Sequence, residues 1–345
     1  MKVGVVGASG YAGTELLRLC ASHPELEVVL ATAGGHEGQS VGAHTPALAG
    51  AYPRLVYSAT AADLDGLDGL DVVFLALPHG RSQTLVPELM DRVGLVVDLA
   101  ADFRLHDPGL YPVWYGEVHR APELLSRAVY GLPELHRDAI RGSRFIAVPG
   151  CYPTAATIVL APLLEAGLIA RPGPSVPPLV VDAASGVSGA GRGASEHLQF
   201  GSVQEDFVAY GLLDHRHTAE MEQSLGVPVL FTPHLAPMTR GILVTAYGRA
   251  ATAAVTTLDA LDALRARYDD EPFVTVVEEP PSTKATRGSN SVHVSTRVDP
   301  RTGWLVALAA LDNLVKGAAG QAVQCVNIAL GWPEGLGLPQ AGLFP

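Results

Sequence analysis

KVGVVGASGYAGTELLRLC (residues 2–20) decides the fold of the first part of this chain. A β-branched apolar run, KVGVV, meets a glycine turn, GASGYAG, and passes into an amphipathic run, GTELLRLC. That is the order strand, tight turn, helix. Gly7, Gly10 and Gly13 fall in a GxxGxxG spacing. Glycines so placed permit a tight turn and a close backbone approach, so a pyrophosphate can rest on the N–H groups that open the helix. Ala8, Ser9, Tyr11 and Ala12 lie along the same loop and complete the candidate dinucleotide contacts.

Outward from this unit, apolar and amphipathic runs alternate: EVVLAT (27–32), DVVFLAL (71–77), RSQTLVPELMD (81–91) and LVVDLA (95–100). Such alternation predicts a parallel sheet with crossover helices, an α/β Rossmann-type domain over residues 1–150. EVVLAT ends without the acid that an NAD-preferring site places against the ribose 2′-hydroxyl. The small hydroxyl of Thr32 and the glycine-rich AGGHEG stretch leave room for a 2′-phosphate. NADP is therefore the expected cofactor, with Thr32 the first contact and His36 a weaker one.

The second half reads differently. LVVDAAS (179–185), VLFTPHL (229–235), GILVTAYGRA (241–250), FVTVVEE (273–279) and SVHVSTRV (291–298) predict a mixed, largely antiparallel sheet in a second, α+β domain over 151–311. WLVALAALDNLVKGAAGQAVQCVNIAL (304–330) reads as a strand leading into a long apolar helix that packs back on the first domain, so 312–345 complete it. ARPGPSVPP and the C-terminal PEGLGLPQAGLFP read as loop and tail.

Composition narrows the function. The 345 residues are 48% apolar and 17% charged, ample for large cores. A formal charge of −12 disfavours nucleic acid and anionic membranes as partners, so an anionic substrate needs a local cationic pocket. No apolar run approaches the roughly 20 residues of a membrane span, and the first residues read as strand and turn, not as a signal peptide. Three widely spaced cysteines fit neither a disulfide framework nor a cysteine-rich metal site, and point to a reducing cytoplasm. Cys20 and Cys325 sit in helical runs as packing residues.

Cys151 is different. It stands between the strand-like RFIAV and the helix-like AATIVLAPLL, in VPGCYPT (148–154). A thiolate at a helix N-terminus is stabilised by the first N–H groups and the helix dipole. Pro153 is tolerated in a first turn, and Gly150 relieves crowding before the nucleophile. An acid/base partner is available in DHRHTAEME (214–222), with Thr218 as N-cap, His217 just before the helix, and Glu220 or Glu222 close enough to orient an imidazole. The residues leave His215 and His217 both open as the base. His-x-His lacks a third ligand of suitable spacing, so no metal is expected. Arg104 in ADFRL and Arg192 in SGVSGAGR can fork onto phosphate or carboxylate, with His234 and Arg240 as further possibilities.

Taken in order, GASGYAGTELLRL, LALPHG, ADFRL, VPGCYPTA, SGVSGAGR, HRHTAEMEQ, FTPHLAPMTRGIL, GSN and DNLVKGAAGQAVQ resemble the N-acetyl-gamma-glutamyl-phosphate reductases of arginine biosynthesis, relatives of aspartate-semialdehyde dehydrogenase. The resemblance spans nearly the whole chain, and VPGCYPTA is its most specific part. It departs at DLAAD, where a small polar residue is expected, and at HRHTAE, where HRHTPE is expected. Both touch fine geometry, not the nucleophile. The resemblance implies Cys151 as nucleophile, a histidine acid/base in HRH, NADP, and a homodimer or homotetramer built through the second domain. It also implies that Pro78, Ser185, Gly186 and Asn313 lie near the cofactor, and that Tyr210 and His215 join Arg104 and Arg192 around substrate.

These features together predict reduction of an N-acetylglutamyl 5-phosphate through a Cys151 thioester. Two other readings use the same residues: reduction of another acyl phosphate, such as aspartyl or carrier-bound aminoadipyl phosphate, and a non-catalytic dinucleotide sensor.

Overall fold

The fold is that of a computed structural model, which describes residues 1–59 and 65–344. The chain forms two compact units: residues 1–149 with 318–338, and residues 150–317 with the segment from Pro339 on. The return to the first unit comes at Ala318 and not at 312. Asp312 and Asn313 remain bonded to the second unit, through the Gly288 N–H at 2.7 Å and the Gly241 N–H at 2.7 Å. The tail beyond Leu338 also belongs there, since the Asn290 N–H donates to the Pro339 carbonyl and the Leu343 N–H to that of Arg287.

The first unit is built on seven parallel strands: β1 (Lys2–Val6), β2 (Glu27–Thr32), β3 (Tyr57–Ser58), β4 (Val72–Leu75), β5 (Leu95–Asp98), β6 (Val129–Tyr130) and β7 (Phe145–Ala147), in the order β3-β2-β1-β4-β5-β7-β6. Their continuous Val, Ile, Leu and Phe runs suit strands covered on both faces, and every residue of β4 and β5 is buried. Strand order reverses between β1 and β4. The loops leaving these two strands therefore open a crevice at the carboxyl edge of the sheet, the usual binding place in open α/β sheets. Helix Gly320–Ala329 lies against helices Tyr11–Ser22 and Pro133–Ile140. Its Ala322, Val323, Cys325 and Val326 are fully buried, and so are Gln324 and Asn327, whose amides donate to Glu334 Oε1 and to the Glu334 and Leu336 carbonyls.

The second unit carries β8 (Leu179–Gly186), β9 (Val208–Ala209), β10 (Val229–Ala236), β11 (Ile242–Arg249), β12 (Val274–Val276), β13 (Val292–Asp299) and β14 (Trp304–Leu311), ordered β12-β13-β14-β11-β8-β10-β9. β8 and β10 run parallel, as do β12 and β13, and the other neighbours are antiparallel. Alternating patterns such as BiBiBi in β11 show one face on the core. Helix Cys151–Glu165 packs on β11 and β14 and is flanked by helices His217–Leu225 and Thr257–Tyr268. From Tyr152 to Leu164 all its residues are buried, which fixes its first residue rigidly.

Candidate active site

Cys151 is the first residue of its helix, and Gly150 is the N-cap, with an extended ψ of 153° and no side-chain cap. Pro153, in the first turn, lacks an N–H that would have met no intrahelical partner there. The Gly150 N–H donates to Glu220 Oε1 at 2.7 Å, and Glu220 is fully buried. Glu220 thus holds the backbone of the turn before Cys151. Glu222 is directed elsewhere, accepting the Val229 N–H at 3.0 Å.

The glycine at 150 is required by the histidine. A Cβ there would stand 2.5 Å from His217 Nε2 and 2.7 Å from its Cε1, so the imidazole lies directly on the residue before Cys151. His217 is the first residue of helix His217–Leu225, and Arg216 is its N-cap. This corrects the expectation of Thr218 as N-cap. The His215 carbonyl already accepts the Thr218 N–H at 2.9 Å, which winds the chain into the helix before Thr218 is reached.

His215 has a different character. Its Nδ1 accepts the His217 N–H at 3.2 Å, and the two rings meet edge to face at 4.7 Å. The rings of Tyr152, Tyr210 and Phe231 surround it at 5.3–5.8 Å. Burial, then the neighbouring Arg216 charge, lowers its pKa to about 4, with Asp214 opposing. His215 is therefore a neutral imidazole whose Nδ1 holds the backbone of His217 in place.

Tyr210 meets helix Cys151–Glu165 through its phenol, 3.1 Å from the Tyr152 hydroxyl. Burial raises both phenols, Tyr210 to about 12, so each stays protonated. Tyr210 also lines a cavity of about 440 Å³ with Leu198, Val203, Val208 and Leu235. Glu196 and Asp206 line it too, and their charge disfavours a phosphate there. Arg192 is exposed on the loop beyond Gly191, whose φ is 86°.

Ser185 and Asn313, expected at a cofactor, are tied into the protein. The Ser185 hydroxyl donates to the Gly186 carbonyl at 3.0 Å, while Asn313 accepts the Gly241 N–H at 2.7 Å and donates to Ser188 Oγ at 2.9 Å. They shape the turn after β8. Gly186 itself is needed for close approach, since a Cβ would stand 2.7 Å from the Arg240 nitrogen.

In the first unit the glycine turn has the expected form. Gly7 has φ 83°, and a Cβ there would collide with the Ala76 carbonyl; one on Gly13 would collide with that of Gly7. Gly10 differs, because its Cβ would meet only Gly7 O, at an ordinary 3.6 Å. Packing does not demand glycine at position 10. Gly10 is the N-cap of helix Tyr11–Ser22, which has no side-chain cap, so the helix opens on backbone N–H groups with space before them. That cradle fits a dinucleotide pyrophosphate. Thr32, by contrast, is 2% exposed, and its hydroxyl accepts the Gly7 N–H at 3.4 Å. It fastens the loop.

Pro78 is exposed on the loop leaving β4. Asp102 shapes that loop, accepting the N–H groups of Gly80 at 2.6 Å and Gln83 at 3.1 Å. Arg104, expected at substrate, is 7% exposed and donates to the Leu99 carbonyl at 2.8 Å. Nearby Asp98, fully buried, is raised to about 7 by burial and then by the Asp102 charge.

Residues 2–143 match the family model described as the NAD binding domain of semialdehyde dehydrogenases, and residues 151–313 match the dimerisation domain. The N-acetyl-gamma-glutamyl-phosphate reductase of Symbiobacterium thermophilum is 47% identical, over 99% of this chain and 98% of its own. The chain belongs to the N-acetyl-gamma-glutamyl-phosphate reductase family. The reductase of that name from Geobacter sulfurreducens is 46% identical over the full length of both chains. Aspartate semialdehyde dehydrogenase II of Vibrio cholerae shares the fold, with TM-score 0.69 at 16% identity over 95% of this chain and 97% of that one. The Candida albicans aspartate semialdehyde dehydrogenase, solved with NADP, has TM-score 0.68 at 18% identity, over 95% and 97%.

For an N-acetyl-gamma-glutamyl-phosphate reductase, the second unit gathers Cys151, His217, His215, Glu220 and Tyr210 around one helix start. Arg104 and the glycine turn belong to the first unit. Gly317 was not singled out by sequence reasoning, yet a Cβ on it would stand 2.7 Å from Cys151 Cβ. Its signal was a glycine inside an otherwise apolar helical run, in the quoted DNLVKGAAG.

Proposed function

We propose that this chain reduces N-acetyl-L-glutamyl 5-phosphate to N-acetyl-L-glutamate 5-semialdehyde and phosphate, using NADPH, in the cytoplasm and as a homodimer or homotetramer. The observation that carries the reading is the helix start itself: Cys151 on the N-cap glycine, with the Glu220 carboxylate and the His217 ring packed on that glycine. Full-length relatives named for this reaction support the choice of substrate.

His217 withdraws the thiol proton, and Cys151 Sγ bonds to the acyl carbon as the carbon–oxygen bond to phosphate breaks, leaving a thioester. The departing phosphate takes from His217 the one proton withdrawn from the thiol, which leaves His217 neutral again. The cradle of Gly7, Gly10 and Gly13 holds the dinucleotide, whose dihydronicotinamide supplies the hydride when bound. Negative charge on the former acyl oxygen is met by the N–H groups that open helix Cys151–Glu165, a kind of contact whose loss commonly costs about 3 kcal/mol. As that oxygen re-forms its carbonyl, the carbon–sulfur bond breaks and the Cys151 thiolate is regenerated. His215 does not exchange the proton; it holds His217.

Reverse-direction assays with N-acetylglutamate semialdehyde and with aspartate semialdehyde test the substrate. The expected result is a strong preference for the first. Equal rates with the two aldehydes contradict the assignment.

A further inference from the structure

Asp312 has no part in the scheme above and is fully buried. It follows the last residue of β14, Leu311, which pairs with Ile242 of β11 and Val292 of β13, so its backbone starts from the centre of the sheet. One carboxylate oxygen, Oδ1, accepts the N–H groups of Leu314 at 2.8 Å and Val315 at 3.1 Å. The other, Oδ2, accepts the Gly288 N–H at 2.7 Å and faces Arg240 Nη1 at 3.5 Å. Such charge-assisted bonds from backbone N–H groups hold a buried carboxylate and the turn around it firmly.

The turn leads to the nucleophile. The Asp312 carbonyl accepts the Gly317 N–H at 2.9 Å, the wide five-residue spacing of the π-helical turn Val315–Ala319. Turns of this kind concentrate at functional sites. The result is that the bare α-carbon of Gly317 backs onto Cys151, where a methyl would stand 2.7 Å from Cys151 Cβ and 3.3 Å from its Cα. The nucleophile is thus steadied on two sides, by Gly150 with Glu220 and by Gly317 with Asp312. Asn313 binds the same segment to Gly241 and Ser188, a second tie at the start of the turn.

We propose that Asp312 is a positioning residue for the reaction: its buried carboxylate winds the turn that sets Gly317 behind Cys151, and so fixes where the sulfur sits at the helix start. The inference rests on the reading of Cys151 as nucleophile. Asp312→Asn retains an oxygen for Leu314 and Val315 but turns a donor toward the Gly288 N–H and the Arg240 guanidinium. Gly317→Ala leaves the carboxylate intact and adds a methyl against Cys151.

The test measures the pH dependence of Cys151 alkylation by iodoacetamide, read by peptide mass spectrometry, beside kcat, KM and the thermal midpoint. Alkylation needs no turnover, so it reports on Asp312 even if the substrate assignment fails. For folded Asp312→Asn, at least a tenfold slower alkylation at neutral pH is expected, with an upward shift of the profile and a kcat loss of similar size at unchanged KM. Gly317→Ala is expected to reproduce the pattern, and it carries the test alone if Asp312→Asn does not fold. A folded variant of either kind with the wild-type alkylation profile and kcat overturns the proposal.

Discussion

At the residue scale, the two histidines of HRH are separated by what surrounds them. His215 is lowered to about 4 by burial and the Arg216 charge, so it is uncharged near neutrality and gives no titrating limb there. His217 must be neutral to take the thiol proton, so activity falls as pH drops through its own titration. His217→Asn is expected to lose about 10²–10⁴-fold in kcat together with the acidic limb of the kcat profile. His215→Asn is expected to lower kcat while keeping that limb, because only the support of His217 is lost. The pair of pH–rate profiles checks this, and a limb that disappears with His215 reverses the assignment.

At the element scale, β5 ends on a carboxyl group with consequences for stability. Asp98 Oδ1 accepts the Ser82 hydroxyl at 2.7 Å and the Ala100 N–H at 3.0 Å, while Oδ2 is buried without a partner. Its folded pKa of about 7 lies above the ordinary 3.8. The folded chain therefore binds more protons than the unfolded one between those values, and stability falls as pH rises toward 7. Between pH 5 and pH 8, Asp98→Asn is expected to gain about 2 kcal/mol relative to the parent. Urea unfolding at both pH values measures the difference, and a constant gap refutes it.

The same scale shows what can be read from sequence. The β1 strand, glycine turn and following helix were legible because period and turn chemistry agree within one short segment, and the Cys151 helix because Pro-Gly precedes an apolar run. The second sheet was legible as strands but not as an order, since pairing β8 with both β10 and β11 depends on contacts far apart in the chain. Thr32 and Arg104 make contacts that the sequence alone does not show. Their residue types suit anions, but burial directs the first to Gly7 and the second to Leu99. The bond of Glu220 to Gly150 was not legible, because only the fold brings the two together.

At the scale of the whole molecule, the first unit carries the glycine turn of an NAD binding domain and the second carries Cys151 and His217, to which the proposed scheme gives the roles of nucleophile and base. β2 ends in Ala31 and Thr32, followed by Ala33 and Gly34, with no carboxylate to bond a ribose 2′-hydroxyl. A preference for NADPH over NADH of at least about tenfold in kcat/KM is expected. Equal use of the two cofactors contradicts that preference and leaves the Cys151 chemistry untouched.

The thioester is tested most directly by intact-mass and peptide mapping of the protein mixed with N-acetylglutamyl phosphate and no nicotinamide, beside Cys151→Ser. The account predicts one N-acetylglutamyl group on Cys151, released by hydroxylamine, and a variant that carries none and turns over at least about 10³-fold more slowly. An unmodified Cys151, or a serine variant with near-normal turnover, contradicts it.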